Sequence, residues 1–89
     1  MILLFLNRKP TQYLVLTGNE TITIYQETDY IEPGYSAYDS KQNDLSSEVD
    51  IKSNLNINQV GEYQITYTLG KVTKTRIIKV IPVMKKYNF

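Results

Sequence analysis

The chain contains no cysteine and no histidine among its 89 residues. Disulfides, thiolate metal sites, cysteine nucleophiles and histidine acid–base chemistry are therefore excluded. The missing cysteine does not fix the compartment. It means only that a sandwich built from this sequence lacks the inter-sheet staple of antibody domains. Tryptophan is absent too, which weakens a sugar-stacking reading and leaves tyrosine to carry it. Charge of one sign is not in excess. Ten basic and nine acidic residues give a net charge of +1, so electrostatics offers no reason to expect nucleic acid or an anionic membrane as partner. The apolar run Met1-Ile2-Leu3-Leu4-Phe5-Leu6 is too short for a bilayer span, which needs about 20 residues. It also lacks the basic leader and small-residue cleavage site of a signal peptide. No segment shows sustained helical spacing, and there is no internal repeat, low-complexity run or linker.

What is present is enough for one domain. A 42% hydrophobic content supports folding, and 21% charged residues argue against a disordered tail. The clearest signal is Val60 to Leu69. Tyr63, Ile65, Tyr67 and Leu69 alternate with Glu62, Gln64, Thr66 and Thr68, the period of a half-buried antiparallel strand. Gly61-Glu62-Tyr63 at its start has the look of the tyrosine corner of Greek-key sandwiches. Tyr13 to Leu16 is a short apolar strand ending at a turn, Thr17-Gly18-Asn19. Thr21 to Tyr25 alternates and is rich in β-branched residues. Tyr30 to Glu32 reads as strand up to Pro33-Gly34, which marks a bulge or break because proline cannot donate to a ladder. The strand resumes over Tyr35 to Tyr38, and Asp39 to Asp44 is a loop. Leu45 to Val49 forms a tight turn, and Asp50 to Asn56 a further strand. Leu69-Gly70-Lys71-Val72 is a short hairpin connection into a last strand, Val72 to Val83. Ile78 and Val80 share one face of that strand, and Ile77 and Ile81 the other. About seven short strands with regular turns predict an all-β, Ig-like sandwich with Greek-key connections.

The segment from about Leu14 to Ile81 resembles the bacterial Ig-like domains of surface and secreted repeat proteins and of some pesticidal crystal proteins. The resemblance rests on several pieces in order. They are Leu14-Val15-Leu16-Thr17-Gly18, Thr21-Ile22-Thr23-Ile24, Tyr30-Ile31-Glu32-Pro33-Gly34 and Ala37-Tyr38-Asp39. Asp44-Leu45-Ser46 with Val49, Val60-Gly61-Glu62-Tyr63-Gln64-Ile65-Thr66-Tyr67 and Arg76-Ile77-Ile78-Lys79-Val80 complete the set. The Asp-x-x-Gly-Asn that the family often carries between its last two strands is replaced here by Leu69-Gly70-Lys71-Val72. The resemblance implies a module that holds or binds rather than reacts, in a cell-surface or extracellular setting. The opening methionine without an export signal adds a second expectation, a virion accessory protein, because viruses also use Ig-like domains.

Several constellations compete for a function. Glu27, Asp29, Glu32, Asp39 and Asp44 gather around the Pro-Gly segment and the loop after it. Their ordinary role is to bond backbone N–H groups of their own loops. The alternative is a calcium site held by Glu32, Asp39 and Asp44. Nothing places an acid and a base across a cleft as glycoside hydrolysis needs, so no catalytic residue is assigned. Tyr63 and Tyr67 are expected in the core, whereas Tyr35 and Tyr38 are candidates for an exposed binding face. Asn19-Glu20-Thr21 fits a glycosylation pattern and reads as a turn. Lys71, Lys74, Arg76, Lys79, Lys85 and Lys86 make a basic end, expected to protect an exposed sheet edge. The domain is expected to span residues 11–84, with an apolar arm over residues 1–10 and a tail over 85–89. Pro33, Gly34, Gly61, Tyr63 and Tyr67 are the expected structural residues. Met1, Ile2, Leu3, Leu4, Phe5 and Leu6, with Tyr35 and Tyr38, are the expected interaction residues. The expected function is protein–protein docking in a virion or cell-surface assembly, with no cofactor. Other subunits, including further copies of this chain, are the expected partners. The alternative is a glycan-binding or adhesion module.

Overall fold

The computed structural model describes residues 10–83. The arm Met1 to Leu6 and the tail 85–89 lie outside the described residues. Among the described residues six strands form: β1 (Gln12–Leu16), β2 (Thr21–Tyr25), β3 (Tyr35–Asp39), β4 (Asp50–Ser53), β5 (Gly61–Leu69) and β6 (Val72–Ile81). A single 3-10 turn, Ser46–Glu48, lies between β3 and β4. The expected count of about seven becomes six because Tyr30 to Glu32 does not pair as a strand. Pro33 lacks an N–H, and the Glu32 side chain takes the Gly34 N–H at 2.7 Å, so the local backbone is tied into a turn.

The strands divide into two sheets. One holds β1 and β3, antiparallel, with Leu14 opposite Ala37. The other has the order β2-β6-β5-β4. Its β5–β6 hairpin runs from Gly61 opposite Val80 to Leu69 opposite Val72. Gly70, at φ 58°, occupies the first of the two hairpin positions, where a tight two-residue turn favours glycine. β4 is shorter than expected. The Asn54 side-chain oxygen, instead of its backbone, accepts the Gln64 N–H, and Ser53 Oγ accepts the Leu55 N–H, so the ladder ends there. The chain leaves the first sheet after β1, turns at Gly18, and continues as β2, which pairs parallel to β6.

The core lies between the sheets and follows the two-residue period. Ile65, Tyr67 and Leu69 come from β5, Ile78 and Val80 from β6, Leu14 from β1 and Ala37 from β3, and all are buried. Burying such side chains stabilises by about 1.5–3 kcal/mol each. Arg76 lies on the same face of β6 as Ile78 and Val80, at i−2 and i−4, and is 0% exposed. The expectation that Arg76 belongs to a basic edge is therefore overturned. β2 pairs with β6 over Ile77 to Ile81, so Lys79 is not on an edge, whereas Val72 to Arg76 has only β5 as a paired neighbour. Lys79 is on the face opposite Arg76, Lys74 shares the Arg76 phase two residues earlier, and both stay exposed.

Candidate functional site

The chemistry of the chain concentrates around Arg76. β6 delivers its guanidinium to the end of the sandwich where the turns at Thr17 to Asn19 and Pro33-Gly34 meet. Nε donates to the Tyr67 hydroxyl at 3.1 Å, Nη1 to the Thr17 and Asn19 carbonyls at 3.0 and 2.6 Å, and Nη2 to Glu32 Oε2 and the Gly34 carbonyl at 3.2 and 3.1 Å. A guanidinium has five N–H donors, and these five bonds use them all. Gly34 sits at φ 105°, a conformation that L side chains rarely adopt, and this backbone geometry holds both its N–H and its carbonyl within the cluster.

Glu32 is equally committed. Oε1 accepts the hydroxyls of Tyr30, at 2.9 Å, and of Tyr67. Oε2 accepts the Gly34 N–H and Arg76. Burial pushes the Glu32 carboxyl up, but bonds from Tyr67, Gly34 and Tyr30 and the Arg76 charge outweigh it and hold it below the usual carboxylate range. Burial and Glu32 raise the Tyr30 and Tyr67 hydroxyls, which keeps both protonated and donating. The arrangement is a closed latch between the two sheets. All five donors of Arg76 and both carboxylate oxygens of Glu32 are engaged within it.

The proposed calcium ligands are not brought together. Among the described residues, no three His, Cys, Asp or Glu side chains form a group able to hold a metal ion. Glu32 sits in the latch. Asp39 closes its own loop: Oδ1 accepts the N–H groups of Lys41 and Asn43 at 2.8 and 3.0 Å, and Oδ2 accepts the Asn43 amide at 3.0 Å. The Asn43 side chain and backbone hold the Asp39 carboxyl below its ordinary range. Asp44 Oδ1 accepts the N–H and hydroxyl of Ser46, which lower its pKa likewise.

The tyrosines separate by face. The Tyr63 hydroxyl donates to the Gln59 carbonyl at 2.7 Å, four residues upstream, and Gly61 lies against its ring, with room for a Cβ only in ordinary contact 3.4 Å from the hydroxyl. This is the tyrosine corner expected from Gly61-Glu62-Tyr63. Tyr35 turns inward, its ring 5.6 Å from that of Tyr67. Tyr38 is on the outer face, stacked on its cross-strand partner Tyr13 at 5.3 Å. A groove runs beside β3, bordered by Ser36, Tyr38, Gln42, Asp44 and Ser46.

Arg76 is the residue that sequence reasoning missed. The available signal was its phase: it shares the two-residue period of Ile78 and Val80 on the inward face of a strand.

Comparison with known proteins agrees with this geometry. Residues 14–80 match the model of a family described as "Bacterial surface protein, Ig-like domain". No curated protein matches the chain. Among solved structures, the crystal structure of the lipoprotein BT2262 from Bacteroides thetaiotaomicron is similar, with a TM-score of 0.72 and 26% identity. The match covers 84% of this chain and 40% of that one, so the chain spans less than half the length of that neighbour. Family and neighbour together point to the cell surface or exterior as the setting. Among the described residues, no helix is long and apolar enough to cross a membrane.

Proposed function

The chain belongs to the bacterial surface Ig-like domain family, and from that premise we propose that it is a non-catalytic structural module of a cell-surface assembly, acting by protein–protein docking. The observation that carries the reading is the latch. The most polar cluster inside the fold spends its bonds on holding loops and sheets in place, which suits a rigid scaffold. The family and the lipoprotein neighbour support a surface setting and lend nothing to a virion one.

The docking element is the apolar arm Met1 to Leu6, which adds as a strand to a sheet edge of a neighbouring subunit through backbone hydrogen bonds. β4 is such an edge: it closes the four-stranded sheet, and Ile51 on it is 44% exposed. The test is deletion of Met1 to Leu6. The shortened chain is expected to keep its β-type circular dichroism spectrum and melting transition while its self-association or recruitment to the surface assembly falls. Unchanged assembly by the folded, shortened chain would refute docking through the arm.

A further inference from the structure

We propose that the groove beside β3 is a binding site for an uncharged sugar ring. The inference needs only that the module is displayed outside the cell; it does not depend on docking through the arm. Three observations support it. The first is an aromatic platform. Tyr13 and Tyr38 stack at 5.3 Å with an interplanar angle of 25°. Tyr38 borders the groove and Tyr13 does not. Tyr13 thus braces the Tyr38 ring, and Tyr38 is the part of the stack that lies against the groove. A pyranose presents a row of C–H groups to such a ring, and tyrosine offers that area with few rotatable bonds.

The second observation is the polar rim. Ser36, Gln42, Asp44 and Ser46 border the same groove. Asp44 uses Oδ1 for Ser46, while its Oδ2 and the Gln42 side-chain amide make no hydrogen bond among the described residues. A carboxylate oxygen and an amide are the groups that pair with neighbouring sugar hydroxyls, the first as acceptor and the second as donor and acceptor. Gln42 stands at φ 70°, a strained setting for a residue with a side chain, and the Gln42 N–H is held there by the Asp39 carbonyl at 3.0 Å. The third observation is charge. Among the described residues, no lysine or arginine borders the groove, and Asp44 is anionic at neutral pH. That combination disfavours sialic or uronic acids and phosphate and selects an uncharged saccharide. At about 290 Å³ the groove lies at the small end of ligand sites, the size class of a single ring and not of a long chain.

The experiment is a heteronuclear NMR titration of the full chain. Neutral mono- and oligosaccharides, a uronic-acid oligosaccharide and the peptide Met-Ile-Leu-Leu-Phe-Leu are added separately. The expected result is saturable shifts at the amides of Ser36, Tyr38, Gln42, Asp44 and Ser46 with at least one neutral sugar. Tyr38→Ala is expected to weaken that binding by about tenfold, in line with the loss of a stacked ring. Tyr38→Phe should retain it, Asp44→Asn should weaken it, and Tyr25→Ala, at an exposed tyrosine elsewhere, should leave it unchanged. The spectra of the variants report whether each is folded. The proposal is overturned if no neutral saccharide gives saturable shifts at these amides. It also fails if the uronic acid or the peptide alone does so, or if folded Tyr38→Ala binds as the parent does.

Discussion

Arg76 and Glu32 lie 44 residues apart in sequence and meet at 3.2 Å, with the arginine fully buried and the carboxylate one third exposed. The pair joins β6 of the four-stranded sheet to the turn that leads into β3 of the other sheet. Tyr30, Glu32, Pro33, Gly34, Tyr67 and Arg76 come from three segments of the chain, and apart from Pro33 all of them bond within this cluster.

Removing the arginine should therefore be costly. Stranding the Thr17 and Asn19 carbonyls and leaving Glu32 without its buried cation predicts a loss of about 3 kcal/mol for Arg76→Ala. Arg76→Lys keeps the charge but offers three donors in place of five, so about 2 kcal/mol is expected. Urea unfolding of both variants checks the order. A lysine variant as stable as the parent would mean that charge, not the planar fork, holds the turns.

Acid should loosen the same point. The folded state holds the Glu32 carboxyl below the usual range, so the unfolded chain takes up the proton more readily. Its contribution is fully present above the unfolded value, about 4.3, and is lost as pH falls through the lower folded value. Asp39 and Asp44 are shifted in the same direction. Stability measured against pH should be level near neutrality and fall below about pH 4. Glu32→Gln should be less stable at neutral pH and show a shallower acid limb.

The tyrosine corner gives a cleaner single-bond test. Tyr63→Phe removes only the hydroxyl that reaches the Gln59 carbonyl. A loss of about 1 kcal/mol is expected. Tyr25→Phe, at a tyrosine 55% exposed, should change stability by less than about 0.5 kcal/mol. Denaturation midpoints of the two variants make the comparison.

Calcium should have little to hold. The Asp39 oxygens and Asp44 Oδ1 are engaged by their own loops, and Glu32 is engaged in the latch. The melting temperature is expected to be the same with added calcium and with a chelator. A calcium-dependent rise would mean that one of these loops rearranges around the ion.

Much of the fold was legible in the sequence, and the reason is period. Tyr63, Ile65, Tyr67 and Leu69 alternate because one face of β5 is buried, and the corner at Tyr63 is local, spanning four residues. The parallel pairing of β2 with β6 was not legible, since it joins segments more than 50 residues apart. Tyr30 to Glu32 had the composition of a strand, but the Glu32 side chain supplied a competing partner for the backbone. Arg76 was misread because residue type outweighed phase: a charged side chain was grouped with the neighbouring lysines, although its position matched Ile78 and Val80. Glu32 was noticed as acidic, yet its partners come from three separate segments. The groove at Tyr38 depends on which face of β3 lies outward, and the two-residue period alone does not fix that.

The most direct test of the latch is nitrogen-detected NMR of the arginine side chains in the intact protein. Arg76 is expected to show a resolved Nε–H signal and restricted guanidinium rotation, with exchange against solvent as slow as that of the core amides of β5. A rapidly exchanging, freely rotating Arg76 guanidinium in the folded chain would contradict the account.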